Sequence, residues 1–344
     1  MNYTHQFFND YSETAHPACL VAVSLNPTQQ ESGYGLDRIS AHARNLIQAH
    51  IGSPGADIHF ISGGTQANLT MIASMLRPHE AVIATETGHI STHETGAIEA
   101  TGHKIIHTPH INGKLTPAAI DHVLRTHPNE HSVKPRMLFI SQPTELGTVY
   151  NKAELQTLRQ LCDAHNLYLY VDGARLGMAL TAEHNDVTLK DLATLADAFY
   201  IGGTKSGALL GEAIVIVNPA LQSDFRYALK QRGALLAKGR VIASQFVALF
   251  EHDLYFELAC HANACAQRLR NGLSELGFTC QTDSPTNQIF PILPNRLIEQ
   301  LENHYGFYVW ETLDNDTAAI RLVTSWATPM DKVEQFLTDV RQWM

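Results

Sequence analysis

Hydrophobic and polar positions alternate between two periods along most of the chain. Ile39, Ala43, Leu46 and Ile47 share one face of a helix expected over 37–50. A short apolar run at 58–61 then reads as a strand, passes through a glycine turn, and gives way to helical spacing at 69–76. The alternation repeats, with strands at 81–84, near 104–107, at 137–140, 167–172, 197–203 and 211–217. Helices are expected between them at 117–125 (opening after Thr116), 155–165 and 189–196. Strands that are apolar throughout and separated by amphipathic helices predict a doubly wound, mostly parallel sheet covered on both faces.

The pattern changes at both ends. The first thirty-odd residues read as irregular, with turns at His16-Pro17, Asn26-Pro27 and Ser32 to Gly35. Past Pro219 long helices are expected over 221–236 and 241–276. Strands at 288–293, 307–310 and 319–323, with helices between and after, predict a small α+β domain. The chain is thus expected to divide into a large domain, 1–250, and a small one, 251–344.

Several strand ends carry chemistry. The run at 167–172 breaks at Asp172 and Gly173, delivering an acid into the crevice at the carboxyl end of the sheet. The next strand delivers Lys205 among Gly202, Gly203, Gly207 and Gly211, where the backbone can lie close to a flat ligand. An Asp–Lys ion pair at the sheet rim is the plain reading of the two. Yet of nine lysines this is the one in a glycine-lined strand end. Pyridoxal phosphate requires both groups: an amine to hold its aldehyde and a carboxylate beside its pyridine nitrogen. Ser62, Gly63, Gly64 and Thr65 join a strand to a helix, so Gly63, Gly64 and Thr65 form a candidate phosphate cradle at a helix N-terminus. His89 and His93 follow another strand end, where an imidazole could stack on a cofactor ring. Arg321 lies inside an apolar strand and needs a carboxylate, from a substrate or from within the chain.

Composition narrows the partners. Thirty-four acidic residues against 24 basic ones give a net charge of −10, with no basic run suited to nucleic acid or an anionic membrane. Five cysteines without CxxC spacing point to a reducing compartment, and the 19 histidines show no zinc spacing. The first ten residues lack a basic start and an apolar core, so no signal peptide is expected and a cytoplasmic location is.

The ordered set Ser62 to Thr65, Gly88-His89, Glu94 to Ala97, Asp172 to Arg175, Gly203 to Lys205 and Ile320 to Thr324 resembles the L-threonine aldolases over nearly the whole chain. These belong to the β-eliminating lyase group of fold-type-I pyridoxal phosphate enzymes. The resemblance implies the aspartate aminotransferase fold, with Lys205 as the Schiff-base lysine, Asp172 on the pyridine nitrogen and His89 stacked on the ring. Thr204 would sit near the phosphate. Arg175 and Arg321 would hold the phenolic-oxygen region and the substrate carboxylate, with Asn9 beside that carboxylate. Tyr34 and Arg240 would complete sites across a subunit boundary, implying a homodimer or homotetramer.

The implied reaction is cleavage of L-threonine, L-allo-threonine or phenylserine to glycine and an aldehyde. β-Elimination or amino transfer on the same scaffold is the alternative, and a non-catalytic binding protein a more remote one. Many members carry a histidine where this chain has Thr144, and the variant 142–148 is closer to phenylserine aldolases. An alcohol is too weak a base for the β-hydroxyl. His93 is therefore the expected base, with His89, Glu94 or a held water as alternatives.

Overall fold

The computed structural model describes residues 3–25 and 27–344. Seven strands form the large sheet in the spatial order Asp57–Ile61, Glu212–Ile216, Ala198–Gly202, Tyr168–Asp172, Lys134–Ser141, Glu80–Thr85 and Ile105–Thr108. Only Glu212–Ile216 runs antiparallel to its neighbours. Its place beside Ala198–Gly202 follows from the short connection through Lys205, too brief for a parallel crossover. Helices cover both faces. Ile47, Leu155, Leu192 and Phe246 fill one side of the sheet, and Met71, Ile72 and Phe225 the other. Double coverage is the reason the central positions of the strands are largely apolar.

Local signals fix the helix starts. Asp37 accepts from the Ser40 N–H to cap Arg38–Ile51, and Thr116 caps Pro117–Thr126. Asn151 and Glu154 form a reciprocal capping box that opens Lys152–His165 three residues before the expected start. Gly64–Met75 begins five residues ahead of the expected 69, because only Gly63 is extended and Gly64 already belongs to the helix.

Other expectations are corrected. The N-terminal stretch holds a helix, Pro17–Ser24, capped by the His16 side chain; its exposed Leu20 and Val21 hide the amphipathic signal. The turn expected at 26–27 includes Asn26, which lies outside the described residues. The helix expected over 221–236 shrinks to Phe225–Gln231, bounded by positive φ at Asp224 and Gly233. The one expected over 241–276 splits into Arg240–Phe250 and Leu254–Glu275, with Asp253 at φ 57° between them.

The small sheet joins Ile292–Pro294, Thr317–Val323 and Tyr308–Thr312, with Gln288–Ile289 also on Thr317–Val323, all antiparallel. Leu254–Glu275 serves two cores: Tyr255 and Leu258 pack into the large one, Cys265, Leu269 and Leu273 into the small one. His5–Gln6 pairs with Tyr305–Gly306, and Phe7 joins the small core. The N-terminal segment, expected with the large domain, therefore runs along the small one before reaching the sheet's carboxyl edge. Among the described residues, no helix is long and apolar enough to cross a membrane.

Candidate active site

Ser141 and Asp172 are register partners at the carboxyl ends of adjacent parallel strands, and this edge forms the floor of a cleft. Asp172 is buried, and three donors orient it. The Tyr200 hydroxyl (2.5 Å) and Ala174 N–H (2.9 Å) reach Oδ1, while the Asn68 amide reaches Oδ2 at 2.9 Å. Asn68 projects from Gly64–Met75, and its amide also donates to Glu94 at 2.7 Å while its oxygen accepts from the Tyr170 hydroxyl at 2.9 Å. Glu94, buried, in turn takes His89 Nδ1 at 2.8 Å. Thus Glu94 orients the imidazole rather than facing a substrate. Burial opposes protonation of His89, but Glu94 and the charge of Asp172 outweigh it and raise its pKa.

Only a single helical turn, His89–Thr92, follows the strand Glu80–Thr85, because Thr95 and Gly96 adopt positive φ. His93 follows as its cap, its ring stacked 5.6 Å from that of His89 at 26°. Burial, then the cationic His89, Arg321, Lys205 and Arg175, depress its pKa. His93 therefore loses its proton more readily than His89.

Lys205 shares the cleft wall with His89, Glu145, Asp172 and Arg175. Burial and then Arg175 bring its amine down to about 8, so a sizeable fraction is the neutral nucleophile near neutral pH. Just before it, the Gly203 N–H donates to Glu212 at 2.8 Å, and the Thr204 hydroxyl accepts from the Gly211 N–H at 3.0 Å.

The two arginines behave differently. Asp10 grips Arg175 through Nε (2.6 Å) and Nη2 (3.0 Å), and Asn287 donates to the same carboxylate at 2.9 Å. One edge of Arg175 is therefore already occupied, which limits what it can offer a substrate carboxylate. Arg321 has no internal acid within ion-pair reach among the described residues. Its Nη2 donates to the Gln288 side chain at 2.6 Å, its guanidinium lies 5.7 Å from the Trp310 ring centre, and its buried Nε has no partner. Burial and the nearby Arg175 lower its pKa to about 10. A half-buried cation with a buried, orphaned N–H fits an incoming carboxylate.

The remaining expected residues sit less directly. Asn9 uses its side-chain oxygen on Tyr11 N–H (2.9 Å) and the Ser12 hydroxyl (3.0 Å). Tyr34, at φ 60°, lies beneath Lys230, and Arg240 donates to the Gln29 carbonyl at 2.8 Å; neither lines the Lys205 cleft of its own chain. Thr144 pairs with the Thr148 hydroxyl at 2.7 Å. Beside it, Glu145 accepts from the Ser141 hydroxyl (2.7 Å) and the His89 N–H (3.0 Å), and burial followed by the charge of Asp172 pushes its carboxyl up. Asp10, Asn68, Glu145 and Glu212 are site residues the sequence did not single out. Only Glu145, in the polar stretch after an expected strand, carried a local signal.

Pyridoxal phosphate fits these groups. Gly63 caps Gly64–Met75 without a side-chain hydrogen bond, so the first-turn N–H groups point unpaired toward an anion. A Cβ on Gly64 would come within 2.9 Å of the Tyr200 hydroxyl, which holds Asp172. A ring laid between Asp172 and Lys205 meets a carboxylate at one end and an amine at the other.

Comparisons with known proteins agree. Residues 17–294 match the model of the β-eliminating lyase family. A low specificity L-threonine aldolase from Pseudomonas aeruginosa is 31% identical, covering 99% of this chain and 98% of its own length. The structure of a threonine aldolase from Leishmania major superposes with a TM-score of 0.96 at 47% identity, covering 98% of this chain and 99% of its own. Aspartate aminotransferase from Thermus thermophilus shares the fold, with a TM-score of 0.75 at 14% identity over 100% of this chain and 92% of its own. Fold, cleft and likeness converge: the chain is a pyridoxal-phosphate-dependent lyase and belongs to the β-eliminating lyase family.

Proposed function

We propose that the protein cleaves L-β-hydroxy-α-amino acids, among them L-threonine, L-allo-threonine and phenylserine, to glycine and an aldehyde. The observation that carries this reading is the half-buried Lys205 and the buried Asp172 facing one cleft in a chain 47% identical along its length to a threonine aldolase. Lys205 would hold the cofactor, Asp172 its pyridine nitrogen and His89 the face of its ring. Gly63, Gly64 and Thr65 would take the phosphate, with Thr204 behind them. The cofactor supplies an electron sink for the bond broken at Cα.

The chain's own groups do the rest. Arg321 binds the substrate carboxylate through its free Nε, and Arg175, braced by Asp10, adds charge from the side, with Asn9 close by. His93, its pKa lowered, takes the β-hydroxyl proton on its imidazole directly or through a water. Tyr34 and Arg240 reach the site of a second copy in a homodimer or homotetramer. The two-domain division near 250 and a cytoplasmic location belong to the same reading.

Borohydride reduction of the purified protein should fix the cofactor on Lys205, and attachment to another lysine would remove that assignment. Incubation with the three amino acids, followed by assays for glycine, aldehyde, ammonia and keto acid, tests the reaction. Glycine with aldehyde supports cleavage between Cα and Cβ. Ammonia with a keto acid, or amino transfer, replaces it with elimination or transamination.

A further inference from the structure

Glu212 opens its strand between the two segments that matter most. Its register partners are Ile61, which runs into the glycine turn at 62–65, and Gly202, which runs into Lys205. Alternation along the strand puts Glu212 on the face of Ile214 and Ile216, which pack with Tyr170, Tyr200 and the helix Gly64–Met75. That is the face on which the Tyr200 hydroxyl meets Gly64. The carboxyl is buried, accepts from the Gly203 N–H at 2.8 Å, and is bonded by the Thr204 hydroxyl. It forms no ion pair among the described residues.

A phosphate arriving at this helix end would bring a second anion beside a buried carboxylate, and residues 62–66 contain no lysine or arginine to offset it. In a low-dielectric setting two neighbouring anions resolve the conflict by protonating one of them. We propose that Glu212 takes up a proton when the cofactor's phosphate seats at Gly63 to Thr65, and that the neutral carboxyl then holds the Gly203–Thr204 turn in place. The inference rests on the assignment of that turn as the phosphate site.

The groups facing Glu212 act in both directions. Asp172 and the phenols of Tyr170, Tyr200 and Tyr255 surround it, and Lys205 favours its ionised form. Burial, aided by Asp172 and opposed by the bonds from Thr204 and Gly203 and by Lys205, brings it up to about 7 before any phosphate is present. A group whose pKa rises on binding leaves affinity highest below its free value. Affinity then falls roughly tenfold per pH unit until the bound value is reached.

The probe is pyridoxine 5′-phosphate, whose alcohol cannot condense with Lys205. Its Kd is measured by fluorescence on the cofactor-stripped chain from pH 6 to 9, for wild type and Glu212→Gln. The ratio of wild-type to variant Kd should be near one at pH 6 and rise to about tenfold by pH 8. A ratio that stays flat overturns this inference alone. Failure of both proteins to bind at any pH overturns it together with the phosphate-site assignment. Should Glu212→Gln not fold, calorimetry of the same probe binding to the stripped wild-type chain in buffers of different protonation heat decides. Net proton uptake near pH 7.5 supports the proposal, and release or no exchange defeats it.

Discussion

At the scale of single residues, His89 in the cleft wall and His93 stacked on it are set apart by their electrostatics. His89 is bonded to Glu94 and its pKa is raised, whereas that of His93 is lowered by burial and four neighbouring cations. That contrast is what the proposal of His93 as the base rests on. Its replacement by Asn should lower kcat for phenylserine cleavage by roughly a hundredfold or more, with the cofactor's visible absorption unchanged. Because its pKa is lowered, the acid limb of the wild-type kcat profile should lie below the ordinary imidazole value of 6.5. A near wild-type rate in the variant would hand the role to Glu145 or a held water. Arg321 makes a different prediction, since its unpartnered Nε awaits a carboxylate. Arg321→Gln should raise KM about tenfold to a hundredfold with a smaller change in kcat, the loss expected of one charge-assisted hydrogen bond. An unchanged KM would show that the carboxylate binds elsewhere.

Between elements, the N-terminal segment and the Asp172 strand end are tied by Asp10 and Arg175, 165 residues apart. Removing one partner of a buried pair leaves the other charge uncompensated, so Asp10→Asn should cost about 3–5 kcal/mol and lower Tm. Burial alone would raise the Asp10 carboxyl; the charges of Arg175 and Lys205 and the bonds from Arg175 and Asn287 depress it below its ordinary 3.8. A depressed carboxyl stabilises above the unfolded pKa and loses that contribution as pH falls through the folded one. The gap in Tm between wild type and Asp10→Asn should therefore be full near neutrality and narrow below about pH 4. A gap independent of pH would mean that the variant acts through packing.

For the whole molecule, the open question of the second copy has a direct assay. Tyr34 and Arg240 lie away from the cleft of their own chain. If they serve a partner's site, coexpressed Lys205→Ala and Arg240→Ala should restore about a quarter of wild-type activity in randomly paired dimers, each variant alone being nearly inactive. No recovery would mean self-contained sites. At this scale, too, the limits of local signals are clear. Strand and helix alternation, the doubly wound class, Asp172 and Lys205 were legible in the sequence, because each follows from a period of a few residues or from a residue at the end of its own strand. Helix ends such as Asn151 with Glu154 were legible in principle, being contacts three residues apart. What only the tertiary structure decided is who faces whom. Arg175 could have met a substrate or an internal acid, and the fold supplied Asp10; Arg321 faced the same choice and received none among the described residues. Asn68 joins Asp172 to Glu94, and Glu212 lies between the phosphate turn and Lys205, only because strands distant in sequence pair side by side. Periodicity determines which face a side chain takes, while charge state and partnership depend on long-range packing that brings carboxylates and cations into one water-poor cleft.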